Sequence, residues 1–341
     1  MEKINVGFIT QPYGSYNNGE NKICGVGIKG KLISEIIKNS TKYNFITGFI
    51  SNENDLYKFF EKNKPLIVIY NFHETPTRWV GNPEIQENYP NIIHVMIHYD
   101  IIQKEIDAFE VHGNFKWFKH IITDNPTLII PKHLDNVFFK TARSIPFVNE
   151  IREEERIDSI PIVGFQGVPE HTKGVHKIAH YIQQEFDEAI FRLHIPDGYY
   201  GDPEGNKRKM RIQEIYQIIK KPGIKVEVTS NFLTDEEVVK WLNKNTINCY
   251  FYDQVFADSG IASSPDYALA AKRPLAVTSN CNMFLHLQGL NPTIEIEKSS
   301  LKEIIKNGIE PLRKIYEKNS QKNVIKDYED ICDKLLSLYK K

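Results

Sequence analysis

The chain has 341 residues, 41% of them hydrophobic and 26% charged, and its Lys+Arg 43 against Asp+Glu 44 give a formal net charge of -1. That length exceeds what one hydrophobic core usually organises and predicts two domains; the charge balance excludes the whole-chain basic excess of a non-specific nucleic-acid binder. Four cysteines, at 24, 249, 281 and 332, stand far apart with no C-x-x-C spacing, which argues against structural zinc or a disulfide framework and for a reducing compartment.

The opening MEKINVGFIT runs straight into a strand-like stretch without the succession of a signal peptide. The longest apolar runs, 66–70 and 92–97, fall far short of a membrane span. A cytoplasmic protein with no transmembrane segment is therefore expected. After a first strand at 4–10, a polar loop leads to Gly25-Val26-Gly27-Ile28-Lys29-Gly30 and a helix over 31–38. Gly25, Gly27 and Gly30 have the spacing of a dinucleotide fingerprint, but the long loop separates them from the strand, so a tight turn approaching a ligand is favoured. Strands follow at 43–50, 66–70 and 92–98, with a helix at 54–62 between the first two. His98-Tyr99-Asp100 falls at the carboxyl edge of the sheet, where open α/β sheets hold ligands. Short strands at 121–123 and 128–130 complete a first domain, 1–148. The Glu- and Arg-rich segment 148–159 reads as a linker. A second series has strands at 160–165, 189–195, 224–229 and 247–252 and helices at 175–186, 210–219 and 235–242, with a polar insertion at 196–209. This second domain is set at 149–310, followed by helices over 311–341 that are expected to pack back across the domains. Strands alternating with amphipathic helices are the mark of parallel sheets with crossover helices.

The stretch 258–278, D-S-G-I-A-S-S-P-D-Y-A-L-A-A-K-R-P-L-A-V-T, passes from loop to helix to strand. Ser263, Ser264, Pro265 and Asp266 form a helix start, and an anion over Gly260 suits its backbone N–H groups. Ser263 and Ser264 either cap their own helix or donate to a phosphate. Upstream, the loop at 164–174 carries Gly167 and sets Lys173 at the mouth of a helix. There Lys173 is either a point charge for a diphosphate or a solvated lysine beside a turn glycine.

Together these segments resemble the sugar-nucleotide-binding half of group 1 retaining glycosyltransferases, of GT-B fold. The resembling runs are V-G-F-Q-G…H-T-K-G-V-H-K-I, then V-T-S-N-F-L-T-D-E-E-V-V-K-W-L, then the 258–278 stretch, and they cover most of 160–280. The sequence departs where the family has glutamates, carrying Ser259 and Tyr267 with Asp258 and Asp266 one residue earlier, and has Phe165 in place of an arginine. The resemblance implies two Rossmann-like domains with parallel sheets facing a central cleft. It implies donor contacts from Gly167, Lys173, Phe232, Asp258, Ser259, Gly260, Ser263, Ser264 and Tyr267, with Phe232 either beside the base or in the core. Catalytic roles fall on His98, Asp100 and Asp266, with a structural role as the other reading of His98. Acceptor contacts fall on Gly25, Gly27, His73 and Glu74. The implied donor is a sugar nucleotide, a substrate rather than a cofactor; no metal is expected, and His94, His98 and His112 lack a ligand spacing. The acceptor is a glycan, a lipid-linked sugar or a small molecule. Two rivals stay open: a sugar-nucleotide epimerase using Asp100, His98 and Glu74, and a non-catalytic binding module. The Lys-rich C-terminal helices are either a lipid-surface contact, making the protein peripheral at the membrane, or a solvated face, the favoured reading.

Overall fold

The computed structural model describes residues 3–11, 15–16, 20–21, 25–72, 77–112, 118–148, 151, 153, 160–197, 201–253 and 262–339, with backbone alone at 15–16, 20–21 and 110–112. The chain divides into two compact units, residues 1–144 with 318–341, and residues 145–317.

In chain order the first unit contains β1 (Ile4–Thr10), the short antiparallel pair β2 (Ser15–Tyr16) and β3 (Glu20–Asn21), α1 (Gly25–Ile37), β4 (Tyr43–Phe49) and α2 (Glu53–Asn63). It continues with β5 (Ile67–Asn71), α3 (Pro83–Asn88), β6 (Ile93–Ile97), α4 (Gln103–His112), β7 (His120–Thr123) and β8 (Phe138–Lys140). Its sheet runs β4-β1-β5-β6-β7-β8, with every pair parallel. All five residues of β5 and of β6 are buried, as continuous apolar strands covered on both faces must be. Asn52 opens α2 by accepting from the Asp55 amide at 3.0 Å.

Two expectations fail here. Residues 25–30 are not a turn, because α1 already starts at Gly25. Residues 128–130 are not a strand: the Ile129 backbone is engaged by the Gln103 side chain, its N–H donating at 2.7 Å and its carbonyl accepting at 3.0 Å. The sixth strand comes later, as β8.

The second unit contains β9 (Ile162–Gln166), α5 (Val175–Glu185), β10 (Ala189–His194), α6 (Asn206–Ile218), β11 (Ile224–Thr229) and α7 (Asp235–Asn243). Then come β12 (Ile247–Tyr250), α8 (Ser264–Ala270), β13 (Leu275–Val277), α9 (Leu301–Asn307) and α10 (Arg313–Lys318), which runs into the division between units. The sheet order is β11-β10-β9-β12-β13, again wholly parallel. Thr234 and Glu237 close a reciprocal capping box on α7, so the acidic start read from the sequence is a true helix cap. Helix α6 begins four residues before the expected 210, because the Asp202 carboxylate accepts the amides of Lys207 at 3.0 Å and Arg208 at 2.9 Å. A carboxylate there satisfies orphan donors of the first turn.

The last helix, α11 (Gln321–Tyr339), belongs to the first unit. Val324, Tyr328, Ile331 and Leu335 form its buried stripe, at the spacing of one helical face. Polar bonds along it fix its register, with Tyr43 donating to Asp333 at 2.6 Å and the Ala142 amide to Asp327 at 2.6 Å. No described helix is long and apolar enough to cross a membrane.

Each sheet has one point at which the strand order reverses. In the first, β1 lies between β4 and β5; in the second, β9 lies between β10 and β12. At such a point the crossovers leave in opposite directions and open a crevice at the carboxyl ends of the strands, where α/β sheets bind ligands.

Candidate functional site

The crevice of the second unit is built by the loop after β9 and the chain leaving β12. A 3-10 turn, His171–Lys173, ends on Gly174 at φ 66. A Cβ on Gly174 would stand 1.8 Å from the Phe251 carbonyl oxygen, so only glycine lets this turn lie on the end of β12. The Asp253 amide donates to the Thr172 carbonyl at 2.9 Å, and the Asp253 carboxylate pairs with Lys177. Lys173 is thereby held over the Tyr252 ring, with its ammonium 4.0 Å from the centroid. Burial lowers the Lys173 pKa to about 8, against the opposing pull of Cys281 and Glu170. An ammonium that has lost part of its hydration in this way attracts an anion more strongly than one in bulk water. Tyr252 is 2% exposed; burial pushes its phenol up, and the Ser264 hydroxyl beside it opposes that rise.

Helix α8 starts with the proline foreseen, yet the Ser263 side chain makes no capping bond; the turn closes through the Asp266 amide to the Ser263 carbonyl at 3.0 Å. With only 7 residues, α8 has a weak dipole, and electrostatic weight moves from the helix start to Lys173. Asp266 is 1% exposed, and its negative charge adds to the burial that raises the Tyr250 phenol. Tyr267 donates to Asp235 at 2.7 Å and ties α8 to α7. Phe232 is 52% exposed, which removes the core reading of that ring. Gly167 follows β9, its amide donating to the His194 carbonyl at 3.1 Å. Asp258, Ser259 and Gly260 lie outside the described residues.

In the first unit the reversal between β1 and β5 is filled by the start of α1. Asn71, at the end of β5, donates to the Thr10 hydroxyl and to the Val26 carbonyl, both at 2.9 Å, and accepts from Tyr99 at 2.5 Å. A Cβ on Gly30 would stand 2.2 Å from both Asn71 Nδ2 and Thr10 Oγ1, and one on Gly27 2.5 Å from Gln11 Nε2. The glycines therefore serve close approach of a helix to polar side chains. Gln11 is 5% exposed, and its Oε1 has no hydrogen-bond partner among the described residues. Behind it, Lys29 donates to the Ser144 carbonyl at 3.0 Å, and Arg143 pairs with Asp124 at 3.2 Å. His98 is partly buried, its backbone amide on the Ile122 carbonyl at 2.9 Å and its ring edge-on to Phe72. Asp100 and Gly25 are exposed. His73 and Glu74 lie outside the described residues.

Sequence reasoning passed over Thr10, Gln11, Asn71, Tyr252 and the Lys29–Asp124–Arg143 group. Polar residues directly ending apolar runs, as in F-I-T-Q and I-V-I-Y-N, were the available signal. His94 is a core residue: its Nε2 meets the Tyr89 carbonyl at 3.2 Å and must carry the proton, so its Nδ1 accepts from Tyr70 at 2.8 Å.

No family model and no curated protein matches this chain. Solved structures do. HepE of Anabaena, in complex with UDP and glucose, aligns at a TM-score of 0.62 and 11% identity over 98% of this chain and 100% of that one. Sucrose-phosphate synthase of Thermosynechococcus elongatus aligns at 0.55 and 11% identity, over 99% and 98% of the two chains. AviGT4, a glycosyltransferase involved in avilamycin A biosynthesis, aligns at 0.56 and 9% identity, over 98% of each. Near-complete coverage at such identities establishes the fold: α/β, with the two Rossmann-like parallel sheets of GT-B glycosyltransferases.

Proposed function

We propose that this chain is a glycosyltransferase that takes its sugar from a nucleotide-sugar donor held by the second unit. The observation that carries this reading is Lys173, a partly buried ammonium held on an aromatic ring at the β9/β12 reversal. Breaking the glycosidic bond of a sugar nucleotide leaves a diphosphate, and a preorganised cation beside the departing oxygen lowers that barrier. A fixed ammonium meets this charge demand without a divalent ion. The solved complexes of HepE with UDP and with UDP-glucose make a uridine nucleotide the first donor to try.

In this reading Gly167, Ser263, Ser264 and the loop carrying Asp258, Ser259 and Gly260 complete the donor contacts, with Phe232 available as a surface ring for the base. Asp266 and Tyr267 act from within the unit, Tyr267 by fixing α8 against α7. The first unit takes the acceptor, a glycan, lipid-linked sugar or small molecule, through the end of β1, the start of α1, and His73, Glu74, His98 and Asp100. Retention at the anomeric carbon, by front-face departure assisted by the leaving phosphate, is what the resemblance to group 1 enzymes implies.

Incubating the protein with UDP-glucose and a panel of other sugar nucleotides, with and without acceptor mixtures, tests the class of reaction. The proposal expects acceptor-dependent release of nucleoside diphosphate, reduced at least about tenfold in Lys173→Met, the order of one lost charged contact. Formation of an epimeric sugar nucleotide without acceptor would replace the transferase with an epimerase. Absence of both from every donor that binds would leave a binding module.

A further inference from the structure

On the second unit, the turn that ends at Lys173 carries a second cluster of side chains. His171 lies on the 3-10 turn, His176 in the first turn of α5, and Glu214 on α6. One donor atom from each lies within 4.8 Å of the others. His171 Nε2 is 3.8 Å from Glu214 Oε1, too long for a hydrogen bond. The two imidazoles stack, with centroids 4.2 Å apart and planes at 24°. His176 Nδ1 is buried and has no hydrogen-bond partner among the described residues, an arrangement that costs free energy unless something else fills the position. Glu214 is already oriented: its Oε2 is engaged by Arg211, which is 8% exposed, leaving Oε1 turned toward the histidines.

We propose that His171, His176 and Glu214 form a binding site for a divalent transition-metal ion of the zinc class. Two imidazoles and one carboxylate suit zinc, nickel or copper and not magnesium or calcium, which prefer all-oxygen sets. Three protein ligands leave a fourth position for water. Bond lengths of about 2.0–2.2 Å bring tetrahedral ligand atoms to roughly 3.4 Å apart, so the cluster must tighten. The His171 side chain is 56% exposed, which gives its ring room to turn out of the stack toward the other two ligands. Arg211 is the outer partner that fixes the ligating carboxylate. The ion would join the Lys173 turn to α6, alongside the existing pair between Lys207 and Glu170 at 2.7 Å.

The test uses the full chain, freed of metal by a chelator and titrated calorimetrically with zinc chloride, with cobalt(II) as a spectroscopic substitute. The wild type is expected to take up one ion with a raised thermal midpoint and to give visible cobalt bands of a four-coordinate nitrogen and oxygen site. His171→Ala, at an exposed position, and Glu214→Gln are each expected to keep the metal-free midpoint within a few degrees and to weaken zinc at least about tenfold. No uptake by the wild type overturns the proposal. So does uptake that both variants retain in full, or a strong near-ultraviolet thiolate band, which would place the ion on cysteine.

Discussion

At the residue scale the proposed site rests on Lys173, held with its ammonium 4.0 Å from the centroid of the Tyr252 ring. The Lys173 pKa falls from 10.5 to about 8 because burial disfavours the ammonium. Between those values the unfolded chain holds a proton that the native one has released, so this lysine makes stability rise with pH through that window. Its charge is complete only below about pH 8. Affinity for a nucleoside diphosphate should therefore weaken as pH rises from about 7 to 9.5, and Lys173→Met should bind more weakly with a flat profile, both read by calorimetry. A wild-type affinity constant over that range would remove the ammonium from the site. Lys173 was legible in the sequence as a cation between Gly167 and Gly174 at a strand-to-helix loop, either a point charge for a diphosphate or a solvated lysine beside a turn glycine. Tyr252 was not, since it ends an apolar run and reads as core. Asp266 was legible as a helix-start residue, but its burial depends on how α8 packs in the unit, which no local pattern states.

Among elements, α1 shows most plainly where local reading stops. Three glycines in six residues argue for a turn, because glycine costs a helix about 1 kcal/mol per residue relative to alanine. The helix forms regardless, since Gly27 and Gly30 let it approach Gln11, Thr10 and Asn71 at distances no Cβ permits. Packing between strand ends and a helix overrides propensity there, and only the fold reveals the partners. Gly30→Ala should accordingly destabilise the protein by about 1–3 kcal/mol in urea unfolding, the cost of overpacking, whereas Gly289→Ala, with nothing within 4 Å of its Cβ but φ 69, should show only the smaller backbone penalty of about 1 kcal/mol. Equal effects would mean that the contact at Gly30 relaxes without cost. Residues 128–130 depart from expectation for a related reason: an apolar triplet reads as a strand, but the Ile129 backbone finds a side-chain partner in Gln103 instead of a sheet neighbour.

Over the whole molecule, the alternation of strands and helices was enough to anticipate two parallel sheets, because buried parallel strands and amphipathic crossovers leave a periodic record along the chain. Strand order left no such record. The reversals at β1 and β9, which fix where each sheet offers a crevice, follow from crossover direction and appear only in three dimensions. The buried histidines give this scale its own prediction. Burial lowers His94 and His194 to about 4 from 6.5, so both are neutral in the native state and the unfolded chain takes up protons first as pH falls. Their contribution is complete above about pH 6.5 and is lost progressively toward pH 4. Urea midpoints measured at pH 7.5, 6 and 5 should fall in that order; a midpoint unchanged to pH 5 would show that these side chains reach solvent.

In the proposed site the second unit binds the diphosphate of a sugar nucleotide at the β9/β12 reversal through Lys173. Calorimetric titration of UDP and other nucleoside diphosphates into the wild type and Lys173→Met, at pH 7 in one buffer, tests it most directly. At least one diphosphate is expected to bind the wild type saturably, weakened about tenfold or more by the substitution while the thermal midpoint of the free protein holds or rises. Equal affinity in both proteins, or no binding of any nucleoside diphosphate to the wild type, would contradict it.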